Sequence, residues 1–134
     1  SGAPYRRTDM KYQEMQGGRI CKSFKDDCVV RSISFAMNLP YKKVFDDLMR
    51  LGMELGAYPN CDKVWITYLE QAGWVKNKPP RDGNGKFIKL RDWAGVKTAV
   101  VRNSRHLTAI SDNRVCDEWD CTYRPVNTYW TPTA

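Results

Sequence analysis

A chain of 134 residues fits one domain that buries a continuous core without metal or disulfide staples. Hydrophobic residues at 42% and charged residues at 28% exclude wholesale disorder, and the longest apolar runs, such as Thr98 to Val101, exclude a transmembrane helix, which needs roughly 20 apolar residues. The formal charge of +7 admits nucleic acid, acidic proteins or a membrane surface as partners. The basic residues are nevertheless interleaved with acids along the whole chain, the pattern of a solvated surface that maintains solubility.

Ser1 to Arg7 contains neither an initiator Met nor an apolar signal core, so it reads as a cloning remnant or a processed end followed by a polar arm. That arm, residues 1–20, closes at Gly17-Gly18 and is expected to dock only in part. Asp26 and Asp27 precede Cys28, and Val29, Ile33, Ala36 and Met37 recur at helical spacing; aspartate suits the N-cap and the positive end of a helix, which places its start at Asp26 or Asp27. Asn38-Leu39-Pro40 ends this helix, and Pro40 opens the next, whose Val44, Leu48 and Leu51 form a buried stripe before Gly52. A third helix spans Cys61 to Ala72, with Val64, Trp65, Tyr68 and Leu69 on one face and Gly73 as its stop.

Lys76 to Lys86, with Pro79-Pro80 and Asp82-Gly83-Asn84-Gly85, is the clearest loop and divides a helical half, 21–75, from a β half, 86–134. In that second half Thr98 to Val101, His106 to Ile110 and Arg114 to Trp119 read as strands, Ser111-Asp112-Asn113 turns the last two into a hairpin, and Asn127 to Trp130 adds a closing strand. Helices first and antiparallel strands after give an α+β class. The five tryptophans are assigned to the core and the interface between the halves.

Five cysteines without a CxxC pair resemble neither a disulfide framework nor a compact zinc site, which favours a reducing, cytoplasmic setting. Cys116 and Cys121 with Cys21 lack the close ligand pair of a zinc centre; no metal and no cofactor is expected, and Cys61, Cys116 and Cys121 read as inert buried or half-buried thiols.

Only Cys28 combines a capped helix start with a route to the single histidine, His106. A helix N-terminus and a nearby imidazolium both stabilise a thiolate, the form that acts as nucleophile. Asp27 beside it opposes that effect by raising the thiol pKa, and Arg31 at helical spacing neutralises the acid. A third group should hold the imidazole. With a two-residue turn at Asp112-Asn113, Ser111 pairs with Arg114 and Thr108 with Asp117, so His106 and Asp117 share a face; a turn one residue longer brings Asp120 there instead.

Lys25-Asp26-Asp27-Cys28-Val29-Val30-Arg31-Ser32-Ile33-Ser34 with the following Tyr41-Lys42-Lys43-Val44 helix, and Arg105 to Asp120 later in the chain, resemble the nucleophile segment and the histidine and acid strands of small papain-like cysteine peptidase domains, including phage-encoded ones. The resemblance covers roughly residues 20 to 130. It implies a papain-like fold over 21–134, an N-terminal helical lobe packed on a C-terminal antiparallel sheet, and a cysteine hydrolase of peptides or amides. Cys28 would be nucleophile, His106 base and then acid, and Asp117 the orienting carboxylate, with Asp120 second. These enzymes often carry a glutamine before the nucleophile to bind the oxyanion; here the stretch is Cys21-Lys22-Ser23-Phe24-Lys25, so Lys22, Ser23 or Lys25 substitutes, or the backbone N–H of Cys28 acts with little side-chain help.

The partner implied is a protein or peptide substrate, in the host cytoplasm for a phage product. The rival reading is a degenerate papain-like module that binds or inhibits a host protein. Nucleic acid ranks third, since the basic residues lack an interleaved stacking platform.

Overall fold

The computed structural model describes residues 11–15, 26–93 and 95–133. Three helices, α1 (Cys28–Met37), α2 (Tyr41–Leu55) and α3 (Asp62–Gln71), accompany six strands: β1 (Lys11–Glu14), β2 (Trp74–Asn77), β3 (Ala99–Asn103), β4 (His106–Ser111), β5 (Arg114–Asp117) and β6 (Tyr129–Pro132). The class is α+β. The strands form one sheet in the order β1-β5-β4-β3-β6-β2. Among the described residues no helix is long and apolar enough to cross a membrane.

The sheet departs from the expected antiparallel, C-terminal one in two respects. β1, from within the expected polar arm, pairs in parallel with β5, opposite Arg114 to Asp117, so the sheet is mixed. β2 takes the last two residues of the expected helical half and the first two of the expected loop, and pairs antiparallel with β6 at the other edge. Both strands are short, largely exposed edge pieces, held by backbone pairing with distant segments and not by a local apolar pattern. The closing strand runs from Tyr129 to Pro132, later than Asn127 to Trp130. β5 stops at Asp117 instead of continuing to Trp119.

Side chains alternate across the sheet and so build two cores. On one face Val100, Leu107, Ala109 and Trp130 pack against the stripes of the helices, which contribute Ile33, Val44, Leu48, Val64, Trp65 and Leu69. Each fully buried aliphatic such as Leu48 contributes roughly 1.5–3 kcal/mol of transfer free energy. On the other face Ala99, Val101, Ile110 and Val115 are covered by Leu90, Trp93, Cys121 and Val126 from the connecting segments. Trp65, Trp74, Trp93 and Trp130 are buried, whereas Trp119 is half-buried.

Local signals account for the helix limits. Asn38 ends α1 in the left-handed conformation (φ 55°), which asparagine tolerates better than most residues. Pro40 is the N-cap of α2, one residue outside it. Asp27 holds the N-cap position of α1 but its side chain makes no capping hydrogen bond, because the carboxylate is drawn to other partners.

The hairpin between β4 and β5 turns on Asp112 and Asn113, both at positive φ (53° and 63°), as a two-residue primed turn requires. Ser111 faces Arg114, and Ala109 faces Cys116. This register sets His106 at the first position of β4 and Asp117 at the last of β5, at the same end of the sheet.

Candidate active site

α1 packs against β4 and is pinned there by the Ser32 hydroxyl, which donates to the Leu107 carbonyl at 2.8 Å. That docking brings the first residue of the helix, Cys28, to the first residue of β4, His106. Just before the helix, Asp26 turns the chain in the left-handed region (φ 57°), and its carbonyl accepts a 2.8 Å hydrogen bond from Asn60 Nδ2. A cleft of about 540 Å³ opens over the pair, with Asp26, Asn60, Asp62 and Trp65 on the helical side and Arg102, Ser104 and Arg105 on the strand side.

His106 Nε2 lies 2.6 Å from Asp117 Oδ2, and the same ring is hydrogen-bonded to the Cys28 thiol. The ring is part-buried and packs against the indole of Trp119, centroids 4.7 Å apart. Burial on its own would suppress the imidazolium, but hydrogen bonds with Asp117, Cys121 and Cys28 and the Asp117 charge push the His106 pKa up to about 11. For Cys28, burial raises the thiol; hydrogen bonds from His106 and the Leu107 backbone, with the charges of His106 and Arg31, outweigh it and bring the pKa below the ordinary thiol value. The two directions agree: each partner favours the charged form of the other, and the arrangement supports a thiolate–imidazolium pair.

Asp117 is 1% exposed and is fully occupied. Oδ1 accepts from Arg31 Nη1 at 2.8 Å and from the Glu118 backbone N–H at 2.7 Å; Oδ2 faces His106 and accepts from the Cys121 thiol at 3.5 Å. Burial opposes its ionisation, but the hydrogen bonds from His106 and Arg31 and the charge of His106 win and hold the carboxyl down at about 2. β1 secures the backbone at this point, since the Tyr12 hydroxyl and the Met15 N–H both donate to the Asp117 carbonyl.

Arg31 runs beneath the site. Its Nε donates to Asp27 Oδ1 at 2.9 Å, Nη1 reaches Asp117, and Nη2 lies 3.5 Å from Glu118 Oε1. The second Asp27 oxygen accepts from the Tyr41 hydroxyl at 2.9 Å. These groups lie at 4% exposure for Arg31 and 6% for Asp27, so removing a single partner strands a buried charge, at a cost of about 3–5 kcal/mol.

Of the residues singled out from sequence, Cys28, His106 and Asp117 come together from α1, β4 and β5. Asp120 does not join them: it is exposed and accepts from the Thr122 N–H and hydroxyl. Lys22, Ser23, Lys25 and Cys21 lie outside the described residues. Cys61 is exposed, not buried or half-buried as expected; Cys121 is buried as expected, and its thiol donates to the Asp117 carboxylate of the site. Two participants give no local signal: Trp119 on the imidazole and Cys121 on the carboxylate both depend on how the chain returns after β5.

Among the described residues, His106, Asp117 and Cys121 offer ligand atoms within 4.8 Å of one another. The carboxylate between them is already shared by Arg31 and His106, which makes this trio a hydrogen-bonded cluster before it is a metal cradle. No protein family, curated protein or solved structure matches the chain.

Proposed function

We propose that the chain is a papain-like cysteine hydrolase of peptide or amide bonds, with Cys28 as nucleophile, His106 as proton carrier and Asp117 as its orienting acid. The observation that carries this reading is the meeting at one cleft of a half-buried thiol at a helix start and the single histidine, whose ring is held from behind by a buried carboxylate 2.6 Å away. The order Cys, His, acid and the packing of the cysteine helix on the histidine strand support the papain-like arrangement.

The chemistry follows from the charges. The Cys28 thiolate adds to the acyl carbon, and the oxyanion is met by backbone N–H groups of the first turn of α1, which have no intrahelical partner. The His106 imidazolium then gives its proton to the departing amine, leaving a thioester on Cys28. Neutral His106 next takes a proton from water, hydroxide attacks the thioester, and the thiolate leaves to restore the pair. Asp117 keeps the ring oriented and balances its charge throughout without taking the proton.

Turnover of a mixed library of fluorogenic peptides and amides tests this directly. Hydrolysis that disappears in both Cys28→Ala and His106→Ala, with a thioester adduct on Cys28 detected by intact mass, is the expected result. A chain that turns over none of them and whose Cys28 reacts no faster than an exposed thiol is instead a binding module.

A further inference from the structure

We propose that Arg31 is a positioning residue of this site: one buried guanidinium cancels the charge of Asp27 beside the nucleophile and fixes the Asp117 carboxylate against His106. The inference rests on the hydrolase reading and adds to it a specific dependence of the thiolate on a residue outside the triad.

Asp27 and Arg31 are four residues apart on α1, but Arg31 and Asp117 are separated by 86 positions. A surface pair would leave each charge solvated. Here the guanidinium is 4% exposed and its carboxylates 6% and 1%, so their fields act through a medium that screens weakly. An uncompensated anion immediately before Cys28 would oppose the thiolate. With Nε on Asp27 at 2.9 Å and Nη1 on Asp117 at 2.8 Å, Arg31 offsets that anion. It also occupies the Asp117 oxygen turned away from the ring, so the other stays on Nε2.

Two features make this more than a structural ion pair. The planar fork of arginine bridges two carboxylates at once, which a lysine ammonium cannot reproduce in the same geometry. Tyr41, from α2, holds the other Asp27 oxygen at 2.9 Å, so Asp27 stays at the helix start instead of turning to solvent. Among the described residues, the other charges around the thiol are His106 at the start of β4 and Arg105 just before it, Arg102 on β3, Asp62 on α3, Asp26 before α1, Asp117 at the end of β5 and Glu118 just after it. Arg102 is paired with Asp62, so among the described residues Arg31 is the buried cation, beside the imidazolium of His106, that is set against both Asp27 and Asp117.

The test is the pH profile of Cys28 alkylation by iodoacetamide, followed by peptide mapping, in the full chain and in Arg31→Gln, Arg31→Lys, Asp27→Asn, the Asp27→Asn/Arg31→Gln double variant, and His106→Ala. Arg31→Gln should move the onset up by about one pH unit, roughly a tenfold slower reaction at pH 6. Arg31→Lys should fall between it and the parent. Asp27→Asn keeps an N-cap residue and should move the onset down, and the double variant should recover most of the Arg31→Gln shift, which a merely structural arginine would not allow. Should Arg31→Gln fail to fold, Arg31→Lys and Asp27→Asn carry the test, with the onset moved up in the first and down in the second. A parent-like onset in Asp27→Asn, or a double variant shifted as far as Arg31→Gln, overturns the inference. If His106→Ala moves the profile while the Arg31 and Asp27 variants do not, the dyad stands and only the role of Arg31 falls; if His106→Ala has no effect, the hydrolase reading itself fails.

Discussion

Two of the described helices start at a cysteine, and the two thiols differ in burial and in the groups that surround them. Cys61 is the N-cap of α3, exposed, with its side chain making no capping bond; Cys28 opens α1 half-buried, with His106, the Leu107 N–H and Arg31 around its sulfur. Both starts carry an aspartate that meets an arginine. On α3 this is Asp62 with Arg102 across to β3, largely in solvent, whereas on α1 it is Asp27 with Arg31 inside the protein. A helix dipole acts on both thiols, so whatever separates them comes from burial, from the imidazole and from the buried Arg31.

The largest expected effect comes from removing the groups that α3 lacks. Cys28→Ala should abolish acyl hydrolysis. His106→Ala should lower it by at least about a thousandfold and should raise the alkylation onset of Cys28 toward the free-thiol value near roughly 8.5. Next in size is the acid. Asp117→Asn should cost roughly 10²- to 10⁴-fold in kcat with the cleft otherwise intact, and Asp120→Asn less than about twofold, as steady-state kinetics on one substrate would show.

The reason this comparison was partly legible in the sequence is that its parts are local. The spacing of Val29, Ile33 and Ala36 marks α1, the aspartates before Cys28 mark its start, and Ser111-Asp112-Asn113-Arg114 fixes the β4–β5 register through two residues that accept positive φ. Arg31 as the neutraliser of Asp27 follows from helical spacing alone. Its reach to Asp117 does not, since nothing in the order of residues brings positions 31 and 117 together before the sheet is docked on α1. β1 was hidden for a similar reason: Lys11–Glu14 is polar, and its place is set by backbone pairing with β5 more than a hundred positions away. β2 was hidden because its four residues pair with β6 at the far end of the chain. The inward thiol of Cys121 and the ring of Trp119 depend on the irregular return after β5, which carries no periodicity to read.

A smaller effect separates the two sites by stability. Asp117 has its pKa depressed to about 2 by His106 and Arg31 against the cost of burial. Its ionised form therefore contributes in full above the unfolded value near roughly 3.9, and that contribution is lost as pH falls through about 2. Urea unfolding between pH 4 and 2 should show a steep loss in the parent and a flatter one in Asp117→Asn, which has no proton to take up there. The smallest effect is at the other helix start: Cys61→Ser should leave stability within about 0.5 kcal/mol of the parent and Cys28 reactivity unchanged.

The contrast between the two cysteines is tested most directly by treating the folded protein with limiting iodoacetamide at pH 6 and comparing the initial modification rates of Cys28 and Cys61 by peptide mapping, in the parent and in His106→Ala. Cys28 should react first in the parent, by roughly tenfold or more over Cys61, and should lose that lead in His106→Ala while Cys61 is unaffected. Equal rates in the parent, or a Cys28 rate indifferent to His106, would contradict the assignment of this cleft as a cysteine–histidine catalytic site.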